Sequence, residues 1–326
     1  MPRAKRTKVK SDDLPAAKKL KSDSDTVDYM AQIQTTLNIK QSTEKNEDTI
    51  ELSTVTSTSN TEKNKDAVEH APVTLGSISG KLLSIEQELC IKLQDVTFPS
   101  MIQYIYNPLE YAAETHAMYV HKYCNGEKKV LFIGMNPGPW GMSQTGVPFG
   151  EINMVRDWLK ISGPVGSPLK EHPDRKITGF QCTRSEISGQ RLWGLFRDLC
   201  GNPENFFRYV YLHNYCPLAF MDARARNITP AEIKGEGQRI LHEACDKSLI
   251  DIIRLLKVEI IIGIGNYAEK RAQIAVQTEG LSHVKVMVLR HPSPRAVGNQ
   301  NWNETAMQRL DELGLLKFFE KTNTSV

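Results

Sequence analysis

Short apolar runs alternate along the chain with stretches in which apolar residues recur at helical spacing. The runs are VLFIG from residue 130, YVYLHN from residue 209, VEIIIGIG from residue 258 and VKVMVLR from residue 284. Continuous apolar runs of this length are typical of strands that are buried on both faces of a parallel sheet. Four such strands separated by helices predict an α/β fold, a three-layer α/β/α sandwich around a mostly parallel four-stranded sheet.

The stretches between the strands have one apolar side when they are drawn as helices. They predict helices over residues 78–96, 109–123, 153–161, 188–201, 230–256 and 303–313. The fifth helix is expected to have Thr229 as its N-cap, since Pro230 and Glu232 follow at the positions favoured in a first turn. The GIG sequence that starts at residue 263 lacks the third glycine of a dinucleotide-binding loop, so we interpret it as close packing of a strand on a helix.

Residues 1–75 depart from this pattern, because they contain few aromatic residues and many lysine, serine, threonine, aspartate and asparagine residues. Such a composition predicts a disordered tail, followed by one folded domain over residues 76–326. Two basic clusters, PRAKRTKVK and PAAKKLK, lie in this tail. They are typical of a nuclear-import signal and predict a nuclear protein; a tail that binds phosphate loosely, or only solvates the chain, stays open.

The overall composition argues against several classes of protein. The 326 residues carry a net charge of only +3, which indicates no particular partner. No apolar run reaches the ~20 residues that a membrane span needs, so no membrane association is expected. The six cysteines show no CxxC spacing, which predicts reduced thiols in an intracellular protein rather than a zinc or iron–sulfur site. We expect no metal and no cofactor, and we expect a monomer.

The chemistry is predicted where the strands end. The first strand runs into GMNPGPWGMSQTGVPFGE, the second into HNYCPL and the fourth into HPSPR. Parallel strands deliver their carboxyl ends to one edge of a sheet, so these loops should bring Asn136, Asn214 and His291 together, with Phe149 at the rim. Taken singly, the asparagines are also typical of turns, the histidine of a structural hydrogen bond, and the glycines and prolines of a purely structural loop.

Together these loops offer amides, an imidazole, backbone N–H groups and an aromatic ring. They contain no nucleophile beside a base, no metal-binding cluster and no pair of carboxylates. The groups that remain suit a planar heterocycle with an amide edge. Arg224 and Arg226 precede the helix start expected at Pro230, where they predict a phosphate site; a solvated pair of arginines is the alternative.

Motifs over about residues 80–318 resemble those of the single-strand-selective monofunctional uracil-DNA glycosylases, a branch of the uracil-DNA glycosylase superfamily. The resemblance rests on GMNPGPWGMSQTGVPFGE, HNYCPL and HPSPR, and it extends through YNPLEYA, MVRDWL, EHP, SGQRLWG and RNITPAE. It implies an enzyme that hydrolyses the N-glycosidic bond of uracil, and of oxidised 5-substituted uracils such as 5-hydroxymethyluracil. The substrate would be single-stranded or duplex DNA, and the product an abasic site.

The resemblance also implies roles for individual residues. Asn136 would position the attacking water, and His291 would stabilise the negative charge that develops on the departing base. Phe149 would stack on the base, and Asn214 would select uracil by its Watson–Crick edge. Further substrate contacts are implied for Met135, Gly138 and Met142. Contacts with DNA are implied for Arg224, Arg226, Asn227, Ser293, Pro294 and Arg295.

The segment after HPSPR is expected to form a helix that wedges into the duplex. In this chain Ala296, Val297 and Gly298 replace a more polar run of the family, and the segment is one residue shorter. This departure leaves the strength of wedging open. The ranking of uracil against 5-hydroxymethyluracil and of single-stranded against duplex DNA also stays open.

Two other functions compete with this interpretation. A non-catalytic base-binding module on the same fold would keep Phe149 and Asn214 but lose Asn136 or His291, and both are present. A nucleotide-binding regulator would need a phosphate cradle, and the sequence contains no GxxxxGK[ST] P-loop. The enzyme is therefore the favoured prediction.

Overall fold

The computed structural model describes residues 76–296 and 298–321. The predicted tail over residues 1–75, with both basic clusters, lies outside the described residues, as does Val297. Among the helices that are described, none is both long enough and apolar enough to cross a membrane.

Four parallel strands form the central sheet. In chain order, the strands of the described residues are β1 (Tyr104–Tyr106), β2 (Val130–Gly134), β3 (Val210–Asn214), β4 (Ala219–Met221), β5 (Asn227–Ile228), β6 (Ile260–Ile264) and β7 (Lys285–Leu289). The central sheet has the order β3-β2-β6-β7, and its three pairings are all parallel. Every residue of β2 and β3 is buried, as expected for strands covered on both faces. The predicted four-stranded parallel sheet is confirmed.

Helices cover both faces of this sheet, which confirms the three-layer sandwich. They are α1 (Ile78–Gln94), α2 (Pro108–Tyr111), α3 (Ala113–Tyr123), α4 (Met142–Thr145), α5 (Ile187–Cys200), α6 (Pro203–Phe207), α7 (Glu236–Leu256), α8 (Asn266–Thr278) and α9 (Trp302–Glu312). Helices α1, α7 and α8 pack in succession, while α5 packs against α6 and α9. Aromatic rings fill the core between the layers; the ring centroids of Phe132 in β2 and Phe196 in α5 lie 5.4 Å apart.

The GIG sequence joins β6 to α8 as close packing of a strand on a helix. A Cβ atom at Gly263 would lie 2.3 Å from the backbone nitrogen of Glu269, in the first turn of α8. Only glycine permits so close an approach of strand and helix. The interpretation of this sequence as a packing feature is confirmed.

Two predicted helices have a different shape in the structure. The helix expected over residues 109–123 is divided, because Ala112 leaves helical geometry between α2 and α3 with φ −113° and ψ 30°. The stretch expected as a helix over residues 153–161 forms a π-helix over Met154–Trp158. Its residues Val155 and Trp158 are buried, as the apolar spacing predicted.

The predicted start of the long helix at Pro230 is wrong. The carboxylate of Glu232 accepts hydrogen bonds from the backbone N–H and the hydroxyl of Thr229, at 2.8 and 3.0 Å. This is one half of the expected capping box, since the Thr229 hydroxyl donates to Glu232 instead of accepting a backbone N–H, and it closes an isolated turn. Helix α7 begins only at Glu236, after Gly235 with φ +79°. A residue in the left-handed region cannot continue a right-handed helix, so the turn and α7 stay separate.

A second, antiparallel sheet of three strands was not predicted. Strand β4 pairs with β1 and with β5. Within YVYLHNYCPLAFM, the run YVYLHN was expected to form a strand that ends in the HNYCPL loop, and no further strand was expected after that loop. The chain leaves the central sheet after Asn214, and the AFM part joins this smaller sheet instead. Strands of two or three residues are too short to show a period in the sequence.

Candidate active site

A cavity of about 600 Å³ lies where the carboxyl ends of β2 and β3 and the loop after β7 come together. Asn136, Phe149, Asn214 and His291 all line it. The structure thus brings together the four side chains that three separate strand-end loops were expected to supply. Further residues of the lining that the sequence singled out are Met135, Gly138 and Met142.

The ring of Phe149 and the amide of Asn214 meet at the end of β2. A Cβ atom at Gly134 would lie 2.2 Å from Oδ1 of Asn214 and 2.7 Å from Cε2 of Phe149, so this position requires glycine. Phe149 itself has φ +51°, a left-handed conformation that is uncommon for a bulky residue. Its ring centroid lies 5.8 Å from that of His291. The ring, the amide and the imidazole therefore lie within reach of one small ligand.

Both asparagines are held through their amide nitrogens. Nδ2 of Asn136 donates to the backbone carbonyl of Leu218 at 3.1 Å. Nδ2 of the buried Asn214 donates to the thioether sulfur of Met142 at 3.1 Å. A thioether is a weak acceptor, so the carbonyl oxygen of a ligand would be a better partner for Asn214.

The imidazole of His291 is held as a neutral hydrogen-bond donor. Burial lowers the pKa of His291 to about 4, so the ring is uncharged at neutral pH. The backbone N–H of Ser293 donates to Nδ1 at 3.1 Å, which places the ring proton on Nε2. Asn299 donates to the carbonyl oxygens of His291 and Ser293, at 2.9 and 2.6 Å, and so fixes the loop. The ring offers an N–H donor that carries no positive charge.

Comparison with known proteins identifies the family. The family model described as "Uracil DNA glycosylase superfamily" matches residues 121–312. The chain belongs to the uracil-DNA glycosylase superfamily. This superfamily member is 49% identical over 242 residues to "Single-strand selective monofunctional uracil DNA glycosylase" of Mus musculus, a match that covers 74% of this chain and 86% of the relative. The predicted family is confirmed.

Further relatives agree with this assignment. The protein of the same name from Bos taurus is 48% identical over 241 residues, with 74% of this chain and 88% of the relative covered. "The crystal structure of WT Pedobacter heparinus SMUG2" is 17% identical with a TM-score of 0.51, and the match covers 73% of this chain and 99% of that chain. A likeness at this identity shows that the superfamily member shares the fold of that structure.

One carboxylate in the described lining of the glycosylase cavity was not foreseen from the sequence. Glu186, which directly precedes α5, accepts a hydrogen bond from the backbone N–H of Trp140 at 3.4 Å. Burial raises the pKa of Glu186, while this hydrogen bond and the charge of Arg295 act in the opposite direction. Local sequence carries no signal for this contact, because it joins segments 46 positions apart. Trp140 and Arg175 also line the cavity without having been predicted.

The phosphate site expected at Arg224 and Arg226 stays a prediction, but it lacks the helix start on which it was expected to rest. No helix begins at Pro230, so the expected N–H donors are missing there. The guanidinium of Arg226 forms ion pairs with Asp222 and Glu232, at 3.2 and 2.5 Å, which offset its charge. Arg224 lies outside the cavity lining. Five of the six residues expected to contact DNA line the cavity: Arg226, Asn227, Ser293, Pro294 and Arg295.

A helix was expected directly after HPSPR. This expectation is wrong for the residues that the structure describes on either side of Val297. They form turns, and the next helix is α9. The hydroxyl of Ser293 accepts a hydrogen bond from the backbone N–H of Arg295 at 3.3 Å. Gly298 has φ +71°, which favours a turn over a helix. The roles expected for Ser293, Pro294 and Arg295 in DNA contact stay predictions.

A buried charged cluster lies behind the loop that carries Phe149. Glu86 of α1 pairs with Nε2 of His116 at 2.8 Å and lies 3.5 Å from Nδ1 of His213. Nδ1 of His116 bonds to the carbonyl oxygen of Gly146, at 2.8 Å, within that loop. Burial and the ion pair oppose each other; the net effect lowers the pKa of Glu86 and raises that of His116. No local pattern in the sequence indicates this cluster, because its members come from three distant segments.

Proposed function

We propose that this protein hydrolyses the N-glycosidic bond of uracil in DNA and leaves an abasic site. The proposal covers oxidised 5-substituted uracils and both single-stranded and duplex DNA. The observation that carries it is the neutral imidazole of His291, which lies beside the Phe149 ring in the cavity that also holds Asn136 and Asn214. Membership of the superfamily and the names of the relatives support it.

Uracil fits the groups around the cavity. Its ring would stack on Phe149, where aromatic packing stabilises a planar base. Asn214 would accept from the ring N3–H and donate to the O4 carbonyl, which replaces its weak bond to the sulfur of Met142. Cytosine presents the opposite donor and acceptor at these two atoms, so the same amide disfavours it.

Asn136 is the candidate for holding the attacking water. Its amide nitrogen is engaged by the carbonyl of Leu218, so its carbonyl oxygen is the atom that can accept a hydrogen bond from water. An amide of this kind orients the water for attack on the sugar carbon but does not take its proton. Its contribution is the alignment of the reacting atoms.

His291 is the candidate for stabilising the departing base. As the glycosidic bond breaks, the bonding electrons stay with uracil, and negative charge builds up on N1 and on the O2 carbonyl oxygen. A fixed N–H donor aimed at such a charge is worth roughly 3 to 4 kcal/mol in a site shielded from water. The hydrogen bond from Ser293 to Nδ1 keeps the proton on Nε2, where it can serve this purpose.

The base must leave the helical stack to reach the cavity. Extrusion of a nucleotide costs a few kcal/mol, and less when the base is mispaired or single-stranded. Single-stranded DNA and U·G mismatches are therefore expected to react faster than U·A pairs. The turn that holds Ser293, Pro294 and Arg295 is the candidate for contact with the opened strand.

The test is the release of uracil from an end-labelled single-stranded oligonucleotide that contains one uracil. The protein should create a site that breaks at that position only after treatment with hot alkali, because a monofunctional enzyme leaves the abasic strand intact. A matched oligonucleotide with cytosine at the same position should remain unbroken. Binding of the uracil strand without release would favour the non-catalytic base-binding module instead.

A further inference from the structure

Two arginines flank the indole ring of Trp140 at the mouth of the cavity. The guanidinium carbon of Arg175 lies 5.0 Å from the centre of the ring, and that of Arg184 lies 4.8 Å from it. Trp140 and Arg175 line the cavity, and Arg184 is an exposed neighbour. None of these three residues belongs to the machinery proposed above for the departing base.

The two guanidinium groups keep their positive charge available. Among the ion pairs of the described residues, neither Arg175 nor Arg184 has a carboxylate partner within 4.0 Å. Within the described part of the chain, the guanidinium of Arg175 donates only to the backbone carbonyl of Asp174, at 2.9 Å. Arg226 on the same rim has its charge offset by Asp222 and Glu232. The Trp140 group is therefore a cationic part of the rim, supplied by other segments than the His291 loop.

One carboxylate lies in the described cavity lining that includes Trp140 and Arg175, and it is already engaged. Glu186 accepts a hydrogen bond from the backbone N–H of Trp140, and it interacts with the charge of Arg295. Stacking on an indole holds a guanidinium by its face and leaves the N–H groups at its edges free. Those edges match the oxygens of a phosphate, which arginine can bind through two parallel hydrogen bonds.

We infer that Arg175 and Arg184, held by Trp140, bind a backbone phosphate of the DNA strand next to the extruded nucleotide. This inference rests on the proposed function, since it assigns the path of the strand that delivers the base. Because the site takes a phosphate and not a base, it acts equally on any flanking sequence. It also requires no second strand, which suits a substrate that is single-stranded.

The test combines protein variants with DNA in which one phosphate is neutralised. The probe is a single-stranded oligonucleotide with one tetrahydrofuran abasic-site analogue, made with a methylphosphonate at one of the three linkages on either side. Binding is measured for the wild type and Arg184→Ala. The matched control is Arg197→Ala, which removes an exposed arginine that is paired with Asp198.

Arg184→Ala should weaken binding about fivefold. It should also lower the slope of log Kd against log salt concentration by about 0.7, which is the value for one phosphate contact in a single strand. At one linkage, the methylphosphonate should weaken binding by the wild type by a similar factor. The same methylphosphonate should hardly weaken binding by Arg184→Ala any further. Arg184→Lys should restore part of the salt slope, because it keeps the charge. Arg197→Ala should bind as the wild type.

If the methylphosphonates weaken binding equally for the wild type and Arg184→Ala at all six linkages, the inference is overturned. The packing of the two arginines on Trp140 is then a purely structural feature. A structural role would instead lower thermal stability and the single-turnover rate at saturating protein, both of which Arg184→Ala should leave unchanged. Uracil release by the wild type is measured alongside. If the wild type releases uracil but the effect of Arg184→Ala is not coupled to any neutralised phosphate, only this inference is refuted. If the wild type releases no uracil, the proposed function itself is refuted.

Discussion

The positions of individual residues in the site depend on close contacts. One added methyl group would disrupt these contacts. Gly134 is the clearest case, because a Cβ atom there would meet both the Asn214 amide and the Phe149 ring. Gly194 in α5 provides the contrast, since nothing lies within 4 Å of a Cβ atom at that position. The two glycines differ in surroundings, and this difference allows a matched test.

We expect Gly134→Ala to lower kcat/KM for uracil release by about 100-fold or more, because it displaces the Asn214 amide and the Phe149 ring, which we propose read the base and stack on it. It should also destabilise the fold by about 1 to 3 kcal/mol through overpacking. Gly194→Ala should keep the wild-type activity. It should raise the free energy of unfolding by about 0.5 to 1 kcal/mol, since alanine favours a helix more than glycine does. Steady-state kinetics and urea unfolding check both. Near-normal activity of Gly134→Ala would refute the close packing.

His291 predicts a pH dependence of stability. Its pKa of about 4 in the folded protein lies below the ~6.5 of an unfolded chain, so the unfolded chain binds more protons between these values. Stability contributed by the neutral ring is complete above about pH 6.5 and is lost as the pH falls towards 4.

The expected loss between pH 7.5 and 5 is about 1 to 2 kcal/mol, with allowance for partial exposure. His291→Asn should show a correspondingly smaller loss, while other titrating groups affect both proteins alike. Urea unfolding at the two pH values measures the difference. An identical pH dependence for both proteins would mean that His291 keeps an ordinary pKa in the folded state.

At the scale of elements, the loop that carries Phe149 is supported from behind by helices α1 and α3 and by strand β3. The support is the buried cluster of Glu86, His116 and His213, with the bond from His116 to the Gly146 carbonyl. Removal of one partner of a buried ion pair leaves an uncompensated charge, which costs more than the pair itself contributes.

Glu86→Ala should therefore destabilise the protein by about 3 to 5 kcal/mol. Glu88→Ala, in the same helix but exposed to solvent, should change stability by no more than about 0.5 kcal/mol. Thermal and urea unfolding of both variants provide the measurement. If Glu86→Ala unfolds like Glu88→Ala, the cluster does not support the loop.

At the scale of the whole molecule, the sequence alone predicts the central sheet and the edge of that sheet at which the site lies. Buried parallel strands have continuous apolar runs, and their carboxyl ends meet, so Asn136, Asn214 and His291 could be placed together before the structure was known. Glu186, Trp140 and the Glu86 cluster could not, because their contacts join segments that no local pattern connects. The start of α7 was missed because a sound capping signal at Thr229 closes only a turn.

The predicted tail over residues 1–75 and its nuclear-import clusters lie outside the described residues, so nuclear localisation stays a prediction. The monomeric state is likewise a prediction. Neither bears on the central claim, which is that the cavity at the carboxyl edge of the sheet releases uracil through Asn136 and His291.

The most direct test of that claim is the single-turnover rate of uracil release by the wild type, Asn136→Ala and His291→Ala. His283→Ala, which removes an exposed histidine outside the described cavity lining, is the control. We expect each of the two cavity variants to lose about 100-fold or more while the control keeps the wild-type rate. A wild type that releases uracil while Asn136→Ala and His291→Ala release it equally fast would contradict the account.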